Sequence, residues 1–148
     1  VQDNAISSGS AMAATVLFKL AMVTGDGDLE RRAVETIRGV RELMERFPSG
    51  AGQWLCALDF YLSSPKEIVI VGESGSWDTD ALLREIFRRY IPNRVMVGRG
   101  PMDDGIVGLP LAEGKSMLRS RATAYVCRNY TCDLPVNDPE ALARQLVG

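Results

Sequence analysis

Lys66-Glu67-Ile68-Val69-Ile70-Val71-Gly72 is the stretch that decides the class of the fold. Ile and Val are branched at Cβ and suit a pleated strand better than a helix. The run shows no polar alternation, so it reads as a strand covered on both faces, the habit of parallel sheets. Downstream, Trp77-Asp78-Thr79-Asp80 opens a helix to about Tyr90, with Asp78 as its expected cap and Leu82, Leu83, Ile86, Phe87 and Tyr90 as its buried stripe. Pro92-Asn93 turns the chain into a second strand, Arg94-Val95-Met96-Val97. Strand, helix and strand within about thirty residues make a βαβ unit. Residues 99–121 read as loop with a short element near 109–111, and Ala122-Thr123-Ala124-Tyr125-Val126-Cys127 reads as a third strand. Asp138-Pro139-Glu140 starts the last helix, with Asp as cap and Pro at the first helical position. Residues 65–148 are therefore expected to form a small parallel three-stranded α/β lobe.

Upstream the period changes to that of helices. Residues 10–23 carry Met12, Ala13, Val16, Leu17, Leu20 and Ala21 at helical spacing, with Ser7 or Ser8 as cap. Thr24-Gly25-Asp26-Gly27-Asp28 is a turn, and Asp28 is the expected cap of a helix over residues 29–47. Pro48-Ser49-Gly50 stops that helix, and a third spans residues 51–62 before Ser63-Ser64-Pro65. The division is a helical segment over 1–64, packed with the α/β lobe.

The totals exclude several functions. Seventeen basic and 19 acidic residues leave a net charge of -2, so no basic footprint for nucleic acid or an anionic membrane exists. No apolar run is long enough to span a bilayer and none reads as a signal peptide. The chain begins at Val1 rather than Met, as an excised part of a longer protein would. It has three Cys and no His. An odd, low cysteine count points to a reducing, cytoplasmic setting, and the lack of His removes imidazole catalysis and imidazole metal sites. No metal or cofactor is expected.

Four features bear on chemistry. The loop Val71-Gly72-Glu73-Ser74-Gly75-Ser76 lies between a strand and a helix, where backbone amides can hold a phosphate. Gly72 and Ser74 are its candidate ligand residues, for a phosphate or nucleotide, although the spacing is neither G-x-G-x-x-G nor a P-loop. The bland alternative is a tight turn. Cys127 and Cys132 are spaced C-x4-C. They are either a redox thiol pair at a strand end or two small, partly buried thiols. Asp26, Asp28, Asp78, Asp80, Asp103 and Asp104 read as caps and solvated turns rather than acid–base machinery. The aromatics, among them Trp54, Tyr61, Trp77 and Phe87, read mainly as packing residues.

Several of these stretches together resemble one family. They are Pro65 through Gly72, Asp78-Thr79-Asp80-Ala81-Leu82-Leu83, Tyr90-Ile91-Pro92-Asn93, and above all Ala122-Thr123-Ala124-Tyr125-Val126-Cys127-Arg128-Asn129-Tyr130-Thr131-Cys132. The chain resembles the C-terminal end of the large thioredoxin-domain-containing proteins of the YyaL / spermatogenesis-associated protein 20 type. The resemblance implies an upstream thioredoxin-like domain and a barrel of paired helices similar to N-acylglucosamine 2-epimerases, of the six-hairpin glycosidase-like kind, with a small α/β region closing the chain. Residues 1–62 would then be the last barrel helices, and the upstream domains the main partners. A Pro-Ser-Gly-Asn-Ser-like stretch at the barrel mouth of the family corresponds to Ser7-Ser8-Gly9-Ser10-Ala11. Ser8 and Gly9 agree, whereas Ser10 stands for Asn and Ala11 for Ser. Ser8, Gly9 and Ser10 are thus the candidate ligand residues of this half. The thioredoxin-like dithiol of the family lies upstream and is not Cys127 and Cys132. The resemblance implies a structural or interaction role for this segment, no complete active site within it, and a sugar-active or redox-linked parent. Dimerisation through an exposed helical face is the expected consequence of isolating it.

Overall fold

The computed structural model describes residues 3, 6–103, 109–129 and 131–147. Contacts divide the chain into two units, Val1–Ser64 and Pro65–Gly148.

The first unit holds α1 (Gly9–Thr24), α2 (Gly27–Arg38), α3 (Arg41–Arg46) and α4 (Gly52–Leu62). Helix α1 packs on α2 and α4. It buries Ala11, Ala14, Phe18 and Ala21, a small-residue stripe that admits neighbouring backbones closely. Against it lie Ala33 and Ile37 of α2 and Trp54, Ala57 and Phe60 of α4. The Phe18 and Tyr61 rings stack with centroids 5.0 Å apart. Gly25, at φ 69°, ends α1 in the left-handed conformation that glycine adopts without a Cβ penalty.

Two expectations are corrected here. The single helix over 29–47 is two helices, broken at Gly39-Val40. Gly39 weakens the helix where its amide already closes the last turn on Glu35 and Ile37. The cap of α2 is Asp26, not Asp28. The Asp26 carboxylate accepts the Asp28 amide at 2.9 Å, while Asp28 sits in the first turn and pairs with Arg31.

The second unit is a four-stranded sheet in the order β2-β1-β3-β4. Its elements are β1 (Lys66–Val71), α5 (Trp77–Phe87), β2 (Arg94–Arg99), β3 (Thr123–Arg128), β4 (Thr131–Cys132) and α6 (Pro139–Val147). Strands β1 and β2 run parallel, with Lys66 opposite Arg94 and Val71 opposite Arg99. Strand β3 is antiparallel to β1, and β4 is antiparallel to β3. The expected parallel three-stranded sheet is therefore a mixed four-stranded one. A parallel return needs a crossover, usually a helix. Among the described residues the chain after β2 offers only a short 3-10 turn, Pro110–Ala112, and β3 starts beside β1 at the same end of the strands where β2 finishes.

All six residues of β1 are buried, as its apolar run foretold. One face of the sheet, with Ile68, Ile70, Ala124 and Val126, packs on Leu82 and Ile86 of α5 and on Leu142 and Leu146 of α6. Asp138 caps α6, its carboxylate accepting the Ala141 amide at 2.7 Å. No helix among the described residues is long and apolar enough to cross a membrane.

Candidate functional site

The loop after β1 is built by packing. A Cβ on Gly72 would meet Thr79 Oγ1 and lie 2.9 Å from the Ala122 Cβ, so Gly72 is the point where β1, α5 and the start of β3 close on one another. Gly75 supplies a positive φ of 78°, and Ser74 is exposed. Ser76, not Asp78, stands at the N-cap position of α5. The Asp78 carboxylate instead accepts the amides of Thr79 at 3.0 Å and Ala122 at 2.8 Å. The Ala122 amide is the main influence holding the Asp78 carboxyl below the usual range. An acidic side chain therefore already occupies the positive end of this helix.

Ser8 is the N-cap of α1, its Oγ accepting the Ala11 amide at 3.3 Å. Gly9 and Ser10 lie exposed in the first turn. Asp3 was not singled out in the sequence. Its carboxylate accepts the amides of Ser8 at 2.7 Å and Gln53 at 2.8 Å. It thereby caps α4, whose own N-cap residue, Ala51, has no side-chain oxygen. Burial alone would raise the Asp3 carboxyl, but the amides of Ser8, Gln53 and Trp54 outweigh it and hold it below the ordinary range.

Cys127 and Cys132 are joined as a disulfide. They stand directly opposite each other on β3 and β4, so the bond closes a hairpin whose turn passes through Asn129 at φ 48°. Tyr130, which belongs to the same motif, lies outside the described residues. Cys127 is only 2% exposed, whereas Cys132 faces solvent. On the other side of β3, Glu67 of β1 is directly opposite Cys127. Paired residues project to the same face of a sheet, so Glu67, Cys127 and Cys132 form one cross-strand row. Glu67 is 7% exposed. Burial pushes its carboxyl above the ordinary range, and the positive charge of Lys115 opposes that only in part.

On the opposite, α6-facing side of the sheet an open groove of about 650 Å³ is lined by residues that include Val126, Arg128, Asp133, Arg144 and Gln145. Lys66 reaches toward the same end, its Nζ donating to the carbonyls of Gln145 at 3.1 Å and of Leu146. Burial first, then the charge of Arg128, lowers the affinity of this amine for its proton, with Asp133 opposing. Lys66 and Glu67 could have been noticed in the sequence as two charges opening an otherwise apolar strand.

The chain is 32% identical over 147 residues to human spermatogenesis-associated protein 20, and 31% identical over the same length to the rat protein of that name. It belongs to the spermatogenesis-associated protein 20 family. Each match takes in 98% of this chain but 19% of the relative, so the chain spans about a fifth of the length of the curated relatives it matches. No family model and no solved structure matches it.

In this member of the spermatogenesis-associated protein 20 family the remaining candidates are scattered. Asp103 accepts the Gly100 amide at 2.7 Å, and Asp104 lies outside the described residues. Among the described residues no three His, Cys, Asp or Glu side chains are grouped to hold a metal ion. Trp77, the first residue of α5, is 75% exposed, with the Arg121 guanidinium 5.8 Å from its ring centroid. Cys56 is an exposed free thiol on α4.

Proposed function

We propose that this chain is the C-terminal closing part of a thioredoxin-domain-containing protein built on an N-acylglucosamine 2-epimerase-like barrel. In this reading α1 to α4 complete the barrel wall, the α/β unit offers a contact surface, and the catalytic groups lie elsewhere in the longer protein. The observation that carries it is the outward side of α1. Met12, Val16 and Leu20 recur every fourth residue and are 44%, 48% and 45% exposed, while the opposite side of the same helix is buried. A helix apolar all round belongs between neighbours rather than at a surface. The length of the family relatives leaves ample chain to supply them. Ser8, Gly9 and Ser10 at the start of α1 would then face the barrel mouth.

The test is association state together with ligand response. The 148-residue chain should self-associate in sedimentation, and the combined change Met12→Lys, Val16→Glu, Leu20→Lys should make it monomeric with little change in Tm. A full-length relative should show a thermal shift with sugars that this chain lacks. A monomeric wild-type chain that binds no apolar dye, or a sugar response in this chain alone, would sink the reading.

A further inference from the structure

The row Glu67–Cys127–Cys132 joins two groups that belong together in one kind of chemistry. A disulfide accepts electrons from a thiolate, and its leaving sulfur must then take up a proton. Cys132 is exposed at the hairpin edge, Cys127 is buried, and the buried carboxyl of Glu67 stands across the strand pair from Cys127. Directly opposed residues of antiparallel strands hold their Cβ atoms about 4.5–5.5 Å apart, within reach of a Glu side chain.

We propose that Cys127–Cys132 is a thiol–disulfide exchange site in which Glu67 supplies and recovers the proton, its substrate being a dithiol. The thiolate of the dithiol attacks Sγ of Cys132. A bond forms between these two sulfurs as the Cys132–Cys127 bond breaks, and the electron pair leaves on Cys127. Glu67 gives its proton to that sulfur and is reprotonated from solvent. The second thiolate of the dithiol then attacks its own sulfur in the mixed disulfide and releases Cys132, which takes a proton from water. The dithiol is oxidised to a disulfide, and Cys127 and Cys132 are reduced to thiols. Among the described residues, the charged and titratable groups that face Glu67 from other elements are Lys115, Tyr125 of β3, one row along on the same face, and Arg99 of β2, one row further. The proposal is independent of the closing role argued above, because it concerns a bond wholly within the second unit.

Dithiothreitol serves as the probe. The chain carrying Cys56→Ser, which removes the free surface thiol, is mixed with set ratios of reduced and oxidised dithiothreitol, then quenched with acid, alkylated and weighed by mass spectrometry. We expect reversible reduction of the folded protein. Glu67→Gln should slow it about tenfold near neutral pH and flatten its pH profile, with Tm kept or raised. Glu67→Asp, which keeps the acid on a shorter arm, should restore part of the profile. A disulfide that reacts only when the protein unfolds overturns the proposal. So does a Glu67→Gln variant whose exchange rate matches the parent from pH 5 to 9.

Discussion

The Nζ of Lys66, at the first position of β1, donates to the main-chain carbonyl of Leu146 near the end of α6. The last carbonyls of a helix have no partner within it, and a cation there also meets the negative end of the helix dipole. One side chain thus satisfies the terminus of an element 80 residues away.

Lys66→Met keeps most of the aliphatic stem and removes the donor. It should cost about 1–3 kcal/mol, because the carbonyls it served lose a partner in a partly buried place. Urea unfolding measures this, and faster amide exchange confined to α6 would locate it. An unchanged midpoint would show that water caps the helix equally well.

Gly72→Ala should destabilise by about 1–3 kcal/mol through overpacking. Thr79 and Ala122 already occupy the space its Cβ would need. Gly98→Ala on β2, where nothing lies within 4 Å of the added atom, is the control and should change Tm little. Equal behaviour of the two variants would refute the close approach at Gly72. This pair also bears on the phosphate reading, since a Gly72 variant that loses ligand binding has first lost its packing.

Asp3→Ala should cost about 1 kcal/mol at neutral pH, the usual worth of a helix cap. Asp3 is held more acidic in the folded state than when unfolded. Its contribution is therefore complete above the unfolded value, about 3.9, and drains away as pH falls through the folded value. The stability gap between the parent chain and Asp3→Ala should accordingly narrow in acid. A gap independent of pH would mean that the carboxylate charge plays no part.

How much of this was legible depended on whether a signal was local. The unbroken run Ile68 to Val71, the Asp138-Pro139 helix start and the Ser8 cap are each fixed by neighbours in sequence, and each stands where its residues indicate. The direction of β3 is not local. It follows from how residues 100 to 122 connect the strands, where the described residues hold no crossover helix, and a β-branched run looks the same in either orientation. Asp3 capping α4 and Lys66 capping α6 join residues 50 and 80 positions apart, and no periodicity marks such pairs. The C-x4-C spacing suited both a disulfide and two thiols. The register that sets Cys127 against Cys132, with Glu67 beyond, is not marked by any local pattern.

The central place of β1 in the sheet carries a consequence for the nascent chain. Synthesis delivers β1 well before the strand and the last helix that flank and cover it. Until β3 and α6 arrive, the apolar run Ile68 to Val71 waits with one hydrogen-bonding edge open and without cover on one side. Charged Lys66 and Glu67 at its leading end act in that interval as gatekeepers against pairing with another chain. The two residues that finish as a helix clasp and a buried acid begin as protection against aggregation on the ribosome.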